Sequence, residues 1–285
     1  MTTPLISVRM PAYNHERYVA KALDSVLAQD YPNKEIVIID DGSEDRTSEE
    51  IEAWIEAHGH EIPIKFHSRE NQGIAATINE LIMMAEGEFI AGLATDDYLL
   101  PGSLSARYQW LSAHPQKLAV FADCQVVDAE GEVIFASGLT ELHRADKSRY
   151  LTDEGLRREI ICNWSVPGST IMVRRELHER IRYDESFQVE DRDFYLRMVS
   201  RNLLGFLDLP VTGYRLHESN TCFAKSFRLT ASKSKLRSLV KNRGRFPLRD
   251  QLLFVGPILS AAAGVLVYSA VELVNSRRDG KSYSL

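Results

Sequence analysis

Between Leu5 and Ala136 the apolar residues switch repeatedly between a two-residue and a 3.6-residue period, and few folds accommodate that alternation. Strand-like runs at Leu5–Met10, Glu35–Ile39, Ile62–Phe66 and Glu88–Leu93 are separated by helical faces at about 17–29, 47–55 and 74–85. Thr47 with Glu50 three residues on predicts a capping box for the second helix. Strand, helix and strand in strict succession predict an α/β fold, a mostly parallel central sheet with helices on both faces. A helix over 102–114 stopped by Pro115, and a hairpin from Leu118–Val127 to Glu132–Ala136, complete this half. Beyond it the pattern weakens. Gly138–Tyr150 reads as a mobile loop, followed by strands near 169–173, 204–207 and 211–216 and a helix over 191–201.

In such a sheet ligands bind beyond the carboxyl ends of the strands. The strands here are followed by Pro11-Ala-Tyr-Asn-His-Glu16, Asp40-Asp-Gly-Ser-Glu-Asp45, Arg69-Glu-Asn-Gln-Gly73 and Thr95-Asp96-Asp97, polar in every case. Any one loop could be only a turn. Turn chemistry does not call for paired carboxylates twice, however, and carboxylates that converge repel unless a cation lies between them. Asp96 and Asp97 are oxygen ligands suited to Mg²⁺ or Mn²⁺, which complete their coordination with phosphates. The chain contains neither Gly-x-x-x-x-Gly-Lys nor Gly-x-Gly-x-x-Gly, which argues against a P-loop nucleotidase and a dinucleotide oxidoreductase. A metal that holds a diphosphate without those loops points to nucleotide-sugar transfer.

Ser7-Val-Arg-Met-Pro-Ala-Tyr-Asn14, Ile38-Ile-Asp-Asp-Gly-Ser43, Glu70-Asn-Gln-Gly-Ile-Ala75, Thr95-Asp-Asp97 with Leu100-Pro101, and Glu190-Asp-Arg-Asp193 follow one another in order. In this the chain resembles the family 2 inverting glycosyltransferases of the GT-A fold. The resemblance implies that Pro11, Tyr13 and Asp40 line the nucleobase side, that Asp96 meets the ribose, and that Asp97 carries the metal bridging the diphosphate. Asn14, Glu16, Asp41, Ser43, Asn71, Gly73 and Thr95 join them as nucleotide-sugar contacts. It also implies that Asp191, with Glu190, takes the proton from an attacking hydroxyl, although acids in a helix's first turn also serve its dipole. His217, after Tyr214-Arg215, would be a third metal ligand or a diphosphate contact. Many members carry Asp where this chain has Ala94. The implied donor is a UDP-, GDP- or dTDP-sugar, and a catalytically silent nucleotide-sugar-binding or scaffold protein is the rival reading.

Charge divides the chain a second time. Residues 1–224 hold 22 Lys and Arg against 37 Asp and Glu, whereas residues 225–285 hold 12 against 3. Nine basic residues from Lys225 to Arg249 run without an acid, and Gln251–Val271 then has no charge at all. A basic block followed by an apolar run predicts contact with an anionic membrane surface, each basic residue contributing about 1 kcal/mol. At about 1.5 Å per residue the apolar run is long enough to cross a bilayer core. A GT-A domain over 1–224, a basic helical linker over 225–250, an apolar membrane-associated or transmembrane helix over 251–275 and a polar tail over 276–285 are the expected divisions.

Three cysteines without Cys-x-x-Cys spacing support neither a disulfide framework nor a thiolate zinc site. No signal-peptide pattern opens the chain. A sugar transferase is expected on the cytoplasmic face of a bacterial inner membrane, serving a lipid-linked or cell-surface polysaccharide precursor, with no nucleic-acid partner.

Overall fold

The computed structural model describes residues 3–218, 220 and 227–279, with side chains as far as residue 272. The boundary drawn at residues 224 and 225, Cys222 and most of the tail lie outside the described residues.

The N-terminal half follows the expected succession: β1 (Ile6–Ala12), α1 (Val19–Leu27), β2 (Lys34–Asp40), α2 (Thr47–His58), β3 (Ile64–Ser68), α3 (Ile74–Met84) and β4 (Phe89–Gly92). Next come β5 (Tyr98–Leu99), α4 (Ser103–Ala113) and a hairpin of β6 (Ala119–Val127) with β7 (Val133–Phe135). α5 (Asp153–Cys162), β8 (Met172–Arg174), α6 (Glu176–Arg180), α7 (Asp191–Val199) and β9 (Leu204–Arg215) follow. One sheet runs β3-β2-β1-β4-β8-β6-β9-β5, with β7 beside β6. It is parallel from β3 to β4, and its farther half is mixed: β8 is antiparallel to both β4 and β6, while β6 and β9 are parallel.

Apolar side chains fill both faces of the central strands. On β2, Ile36 and Ile38 pack with Val8, Met10, Leu23 and Trp54, whereas Val37 and Ile39 pack with Ile78, Leu81 and Phe194 on the opposite face. A strand buried on both faces is what crossover helices require.

Three local expectations are corrected. Thr47 does not cap α2; its hydroxyl donates to Asp45, two residues back, and accepts from the His15 amide of the first loop, so one local and one tertiary partner replaced the box. Leu204–Arg215 form one strand where two were expected, its register with β6 shifting on either side of Asp123, opposite Pro210. Gly138–Tyr150 is not a bare loop but two helical turns, Gly138–Leu142 and Lys147–Leu151, with Leu139 and Tyr150 buried. Asp123, wholly buried on β6, organises it by accepting hydrogen bonds from the Leu139 amide and the Ser137 hydroxyl and pairing with Lys147.

The C-terminal segment forms α8 (Phe227–Arg243), α9 (Leu248–Gln251) and α10 (Val255–Asp279). Leu239, Phe246 and Phe254 belong to the main apolar core. Truncating one buried phenylalanine typically costs about 3–5 kcal/mol, a large share of a domain's stability, so residues 227–254 are structurally part of the body. Pro257 falls in the first turn of α10, where its missing N–H costs nothing, and the helix runs on unbroken. The stretch Leu248–Glu272 has a mean hydropathy of 2.0 over its most apolar window, of which only 11% is buried. Leu259, Leu266 and Val267 are exposed along it.

Candidate functional site

The four loops predicted to converge do so, at the carboxyl edge of β1, β2, β3 and β4. Several of their polar residues hold the loops to one another. Asn14, at a positive φ of 56°, donates its amide N–H to Ser43 Oγ at 2.9 Å, and its side-chain oxygen accepts from the Glu44 amide at 2.8 Å. Glu16 likewise accepts from the Arg46 amide. Asp40 is buried and accepts from the hydroxyls of Ser43 and Ser68. Asp41 accepts from the amides of Gln72 and Gly73, both at 2.9 Å, and pairs with Arg69, fixing the third loop. Gly73 there adopts φ 88°, which a residue without Cβ takes at little cost.

The floor lies between β4 and β5. Thr95 is buried, and its hydroxyl meets His15 Nδ1 at 2.7 Å. That contact leaves His15 Nε2 facing Asp96 Oδ2 at 3.7 Å, while His217 Nε2 approaches the same oxygen at 3.2 Å. Among the described residues, His15, Asp96 and His217 are the cluster whose ligand atoms lie within 4.8 Å of one another. Sequence reasoning placed His217 and Asp96 here but missed His15, whose signal was only a histidine in the first polar loop. Burial lowers the affinity of His15 for a proton, Asp96 opposing and His217 assisting. Burial also works against ionisation of Asp96, but the His217 hydrogen bond and the charge of His15 outweigh it and hold the carboxyl below its ordinary range. A neutral imidazole and an ionised carboxylate are the protonation states that bind a divalent ion. The donor set therefore fits one, and two imidazoles beside a carboxylate suit Mn²⁺ better than Mg²⁺.

Asp97, expected to carry the metal, borders the same cavity but already has partners for both oxygens. It accepts from Ser169 Oγ at 2.5 Å and from the Arg215 amide at 2.8 Å. Burial, and then the Asp96 charge, push it well above the usual carboxylate range. Burial and the charge of Asp96 thus both oppose a second negative charge at Asp97. Arg215 is spent on carbonyls of Asp96, Asp128 and Ala129 and stacks against Tyr18, so it braces the floor.

A cavity of about 330 Å³ opens above this floor, lined by Arg9, Pro11, Asp96, Asp97, Glu190 and Asp191 among others. A second, of about 350 Å³, is lined by Tyr13, His15, Asp41, Asn71 and Gly73, and shares Pro11, Ile74, Glu190, Asp191 and Phe227 with the first. Glu190 and Asp191 stand where α7 begins, at the junction of the two. Burial first, and then the Asp191 charge, lift Glu190 to about 8. Burial also raises Asp191, against the charge of Arg9 and a hydrogen bond from Glu190. The pair can hold one proton on Glu190 and leave Asp191 as the acceptor. Of the predicted nucleotide-sugar contacts, Pro11, Tyr13, Asp41, Asn71, Gly73 and Asp96 line these cavities. Asn14, Glu16, Asp40, Ser43 and Thr95 stand behind them as supports.

Residues 7–182 match the sequence model of the family described as Glycosyl transferase family 2. WcaA of Escherichia coli (strain K12), assigned to colanic acid biosynthesis as a glycosyl transferase, is 32% identical over 199 residues. That alignment covers 69% of this chain and 66% of WcaA, just under two thirds of the relative's length. The mannosyltransferase PcManGT of Pyrobaculum calidifontis, solved with GDP-Man and Mn²⁺, superposes with a TM-score of 0.68 at 18% identity, over 99% of this chain and 82% of the other. TarS 1-349 of S. aureus in complex with UDP gives 0.61 at 19% identity, over 98% of this chain and 75% of TarS. At those identities the structures establish the shared GT-A fold.

Proposed function

We propose, from the premise that this chain belongs to glycosyltransferase family 2, that it moves a sugar from a nucleotide-diphosphate donor to an acceptor hydroxyl with inversion at the anomeric carbon. One observation carries the reading: Asp96 of a cation-competent cluster and a proton-accepting carboxyl pair border a single cavity at the sheet's carboxyl edge, and His15 of that cluster borders the adjoining cavity with the same pair. His15, Asp96 and His217 would hold Mn²⁺ or Mg²⁺, which when bound neutralises charge on the departing nucleotide diphosphate. Tyr13, Asn71 and Gly73 line the adjoining cavity, which suits the nucleoside. Asp191 receives the proton of the attacking hydroxyl, and Glu190, protonated, orients it. One base and one displacement give inversion. The relatives' names, with donors that include UDP-GlcNAc and GDP-Man in fold neighbours, support polysaccharide assembly from a nucleotide sugar.

A panel of UDP-, GDP- and dTDP-sugars, screened by thermal unfolding with and without Mn²⁺, tests the reading. One donor class should raise the melting temperature only when metal is present, because a ligand of the folded state alone stabilises it. Transfer without any metal-dependent stabilisation would remove the cluster from the mechanism. Metal-dependent stabilisation without turnover on any hydroxyl acceptor would favour the silent scaffold.

The acceptor is proposed to be lipid-linked and the protein to work at the cytoplasmic face of a bacterial inner membrane. α8 begins at Phe227, which borders both cavities, and packs along α10, whose apolar side chains lie open. The full chain should sediment with vesicles containing anionic lipid and stay bound in 1 M salt, where screening shortens to about 3 Å but burial of apolar surface persists. Replacing Leu259, Leu266 and Val267 together by Asn should release it while preserving donor-induced stabilisation. A wild-type chain that stays soluble without detergent would make this face an oligomer contact instead.

A further inference from the structure

Arg9 stands in the middle of β1, paired in register with Val37 on β2 and Gly92 on β4. Ile6, Val8 and Met10 alternate into the apolar core on one face, which turns Ser7, Arg9 and Pro11 to the other. An arginine that is only 7% exposed on a central strand demands an account, since burying a charge is costly unless something answers it.

Its seat is built. A Cβ at position 92 would lie 3.1 Å from Arg9 Nη2 and 3.3 Å from Cζ, so glycine is what leaves room for the guanidinium. Nη2 donates to the Tyr183 hydroxyl at 3.3 Å, and the group lies 5.7 Å from the Tyr183 ring centroid. Tyr183 is in turn stacked on Phe194 of α7 at 4.1 Å between centroids. Arg9 borders the same cavity as Glu190 and Asp191, with Gly92 of β4 on one side of its guanidinium and Tyr183 on another.

We propose that Arg9 is a positioning residue that sets the charge of the Glu190–Asp191 pair, so that the pair meets the acceptor hydroxyl with one proton and one negative charge. The inference rests on the reading of Asp191 as base and adds what keeps that base ionised. Two carboxyls buried side by side tend to hold their protons, and a nearby cation is what opposes this. Arg9 acts on both members in that direction. Of the other titratable groups around it, His178, Tyr183 and Tyr195 keep their charge through the working range. Burial, and then Arg9, lower His178 to about 3, and burial lifts Tyr183 and Tyr195 far above neutrality. Asp96 and Asp97 face the cavity from the floor and belong to the cation cluster's surroundings.

The sign follows directly. A positive charge favours the carboxylate form, so removing it raises the proton affinity of both members. The acid limb of the rate profile must then move to higher pH. Each unit of that movement is about a tenfold loss of ionised base below the limb, recovered above it. A purely structural loss would lower the rate at every pH.

Full-length Arg9→Met, Arg9→Lys and Gly92→Ala should be compared with wild type after labelling glutamate carboxyls with carbon-13. The Glu190 signal is identified by its disappearance in Glu190→Gln. No substrate is needed, so the measurement does not depend on the proposed reaction. In Arg9→Met the Glu190 midpoint should rise by about one unit, and Arg9→Lys should restore most of it. Gly92→Ala, which crowds the guanidinium, should shift it less in the same direction. If Arg9→Met fails to fold, the lysine and alanine variants still decide. The rate profile, measured with the donor found by the thermal screen, should move its acid limb in parallel. A Glu190 midpoint unchanged in every variant would overturn the proposal, as would a rate loss of equal size at all pH values. A shifted midpoint with normal transfer by Asp191→Asn would instead overturn the base assignment and leave the electrostatic role of Arg9 standing.

Discussion

Asp191→Asn is expected to lower transfer by at least about 10², while leaving the melting temperature and the metal-dependent response to nucleotide in place. General bases typically contribute about 10² to 10⁴ in rate, and the substitution keeps the shape of the side chain while removing its capacity to accept a proton. Asp191 lines the junction of the two cavities and is not a member of the His15, Asp96 and His217 cluster, so donor affinity should survive. Burial already disfavours its charge, so an uncharged amide should not destabilise the fold. Initial rates of donor consumption, measured beside a thermal unfolding curve, separate loss of chemistry from loss of structure. Glu190→Gln should cost less, because its amide can still donate to Asp191. A variant at position 191 that turned over near the wild-type rate would pass the role to Glu190 or to another group.

The second large effect is expected at Asp96. Titration of UDP or GDP into Asp96→Asn in the presence of Mn²⁺ should show affinity lowered at least about tenfold to a hundredfold, since even residues that only orient a metal's ligands cost that much when removed. The variant removes the carboxylate to which His217 and His15 both point. Asp97→Asn provides the contrast. Its oxygens are taken by Ser169 and the Arg215 amide, so the substitution should show first as lowered stability rather than lost metal response. The opposite pattern, with Asp97→Asn losing the metal response and Asp96→Asn keeping it, would return the ion to Asp97.

Much of the framework was legible in the chain because its causes are local. The strands β1 to β4 and helices α1 and α3 announce themselves by period, and a parallel sheet with its ligand edge follows from their order. The motif ends Asp40-Asp41, Asp96-Asp97 and Glu190-Asp191 are likewise readable as carboxylates at that edge. Where the pattern misled, a distant partner had displaced a local one. The Thr47 hydroxyl accepts from the distant His15 amide instead of closing a capping box, and Asp123 ordered a stretch that alone looks like a loop. The setting of Arg9 was not legible, since nothing in a strand's own pattern announces a glycine on the neighbouring strand that leaves room for it.

What the amino-acid order determined by itself is therefore the alternation of elements, the acidic edge of the sheet, and a basic run followed by 21 uncharged residues. Periodicity, turn chemistry and charge counts act between residues near one another in the chain, and they survive without knowledge of the fold. The tertiary structure decided how the carboxylates divide their work. Asp41 became a brace for the third loop, Asp97 a brace for the floor, Asp96 a partner of two histidines far apart in the chain, and Asp191 a buried neighbour of Glu190 at the junction of two cavities. It also decided that Leu239, Phe246 and Phe254 close the core while Leu259 and Leu266 stay open. Burial and charge proximity set those outcomes, and both depend on which elements pack together, a distance that no spacing along the chain contains.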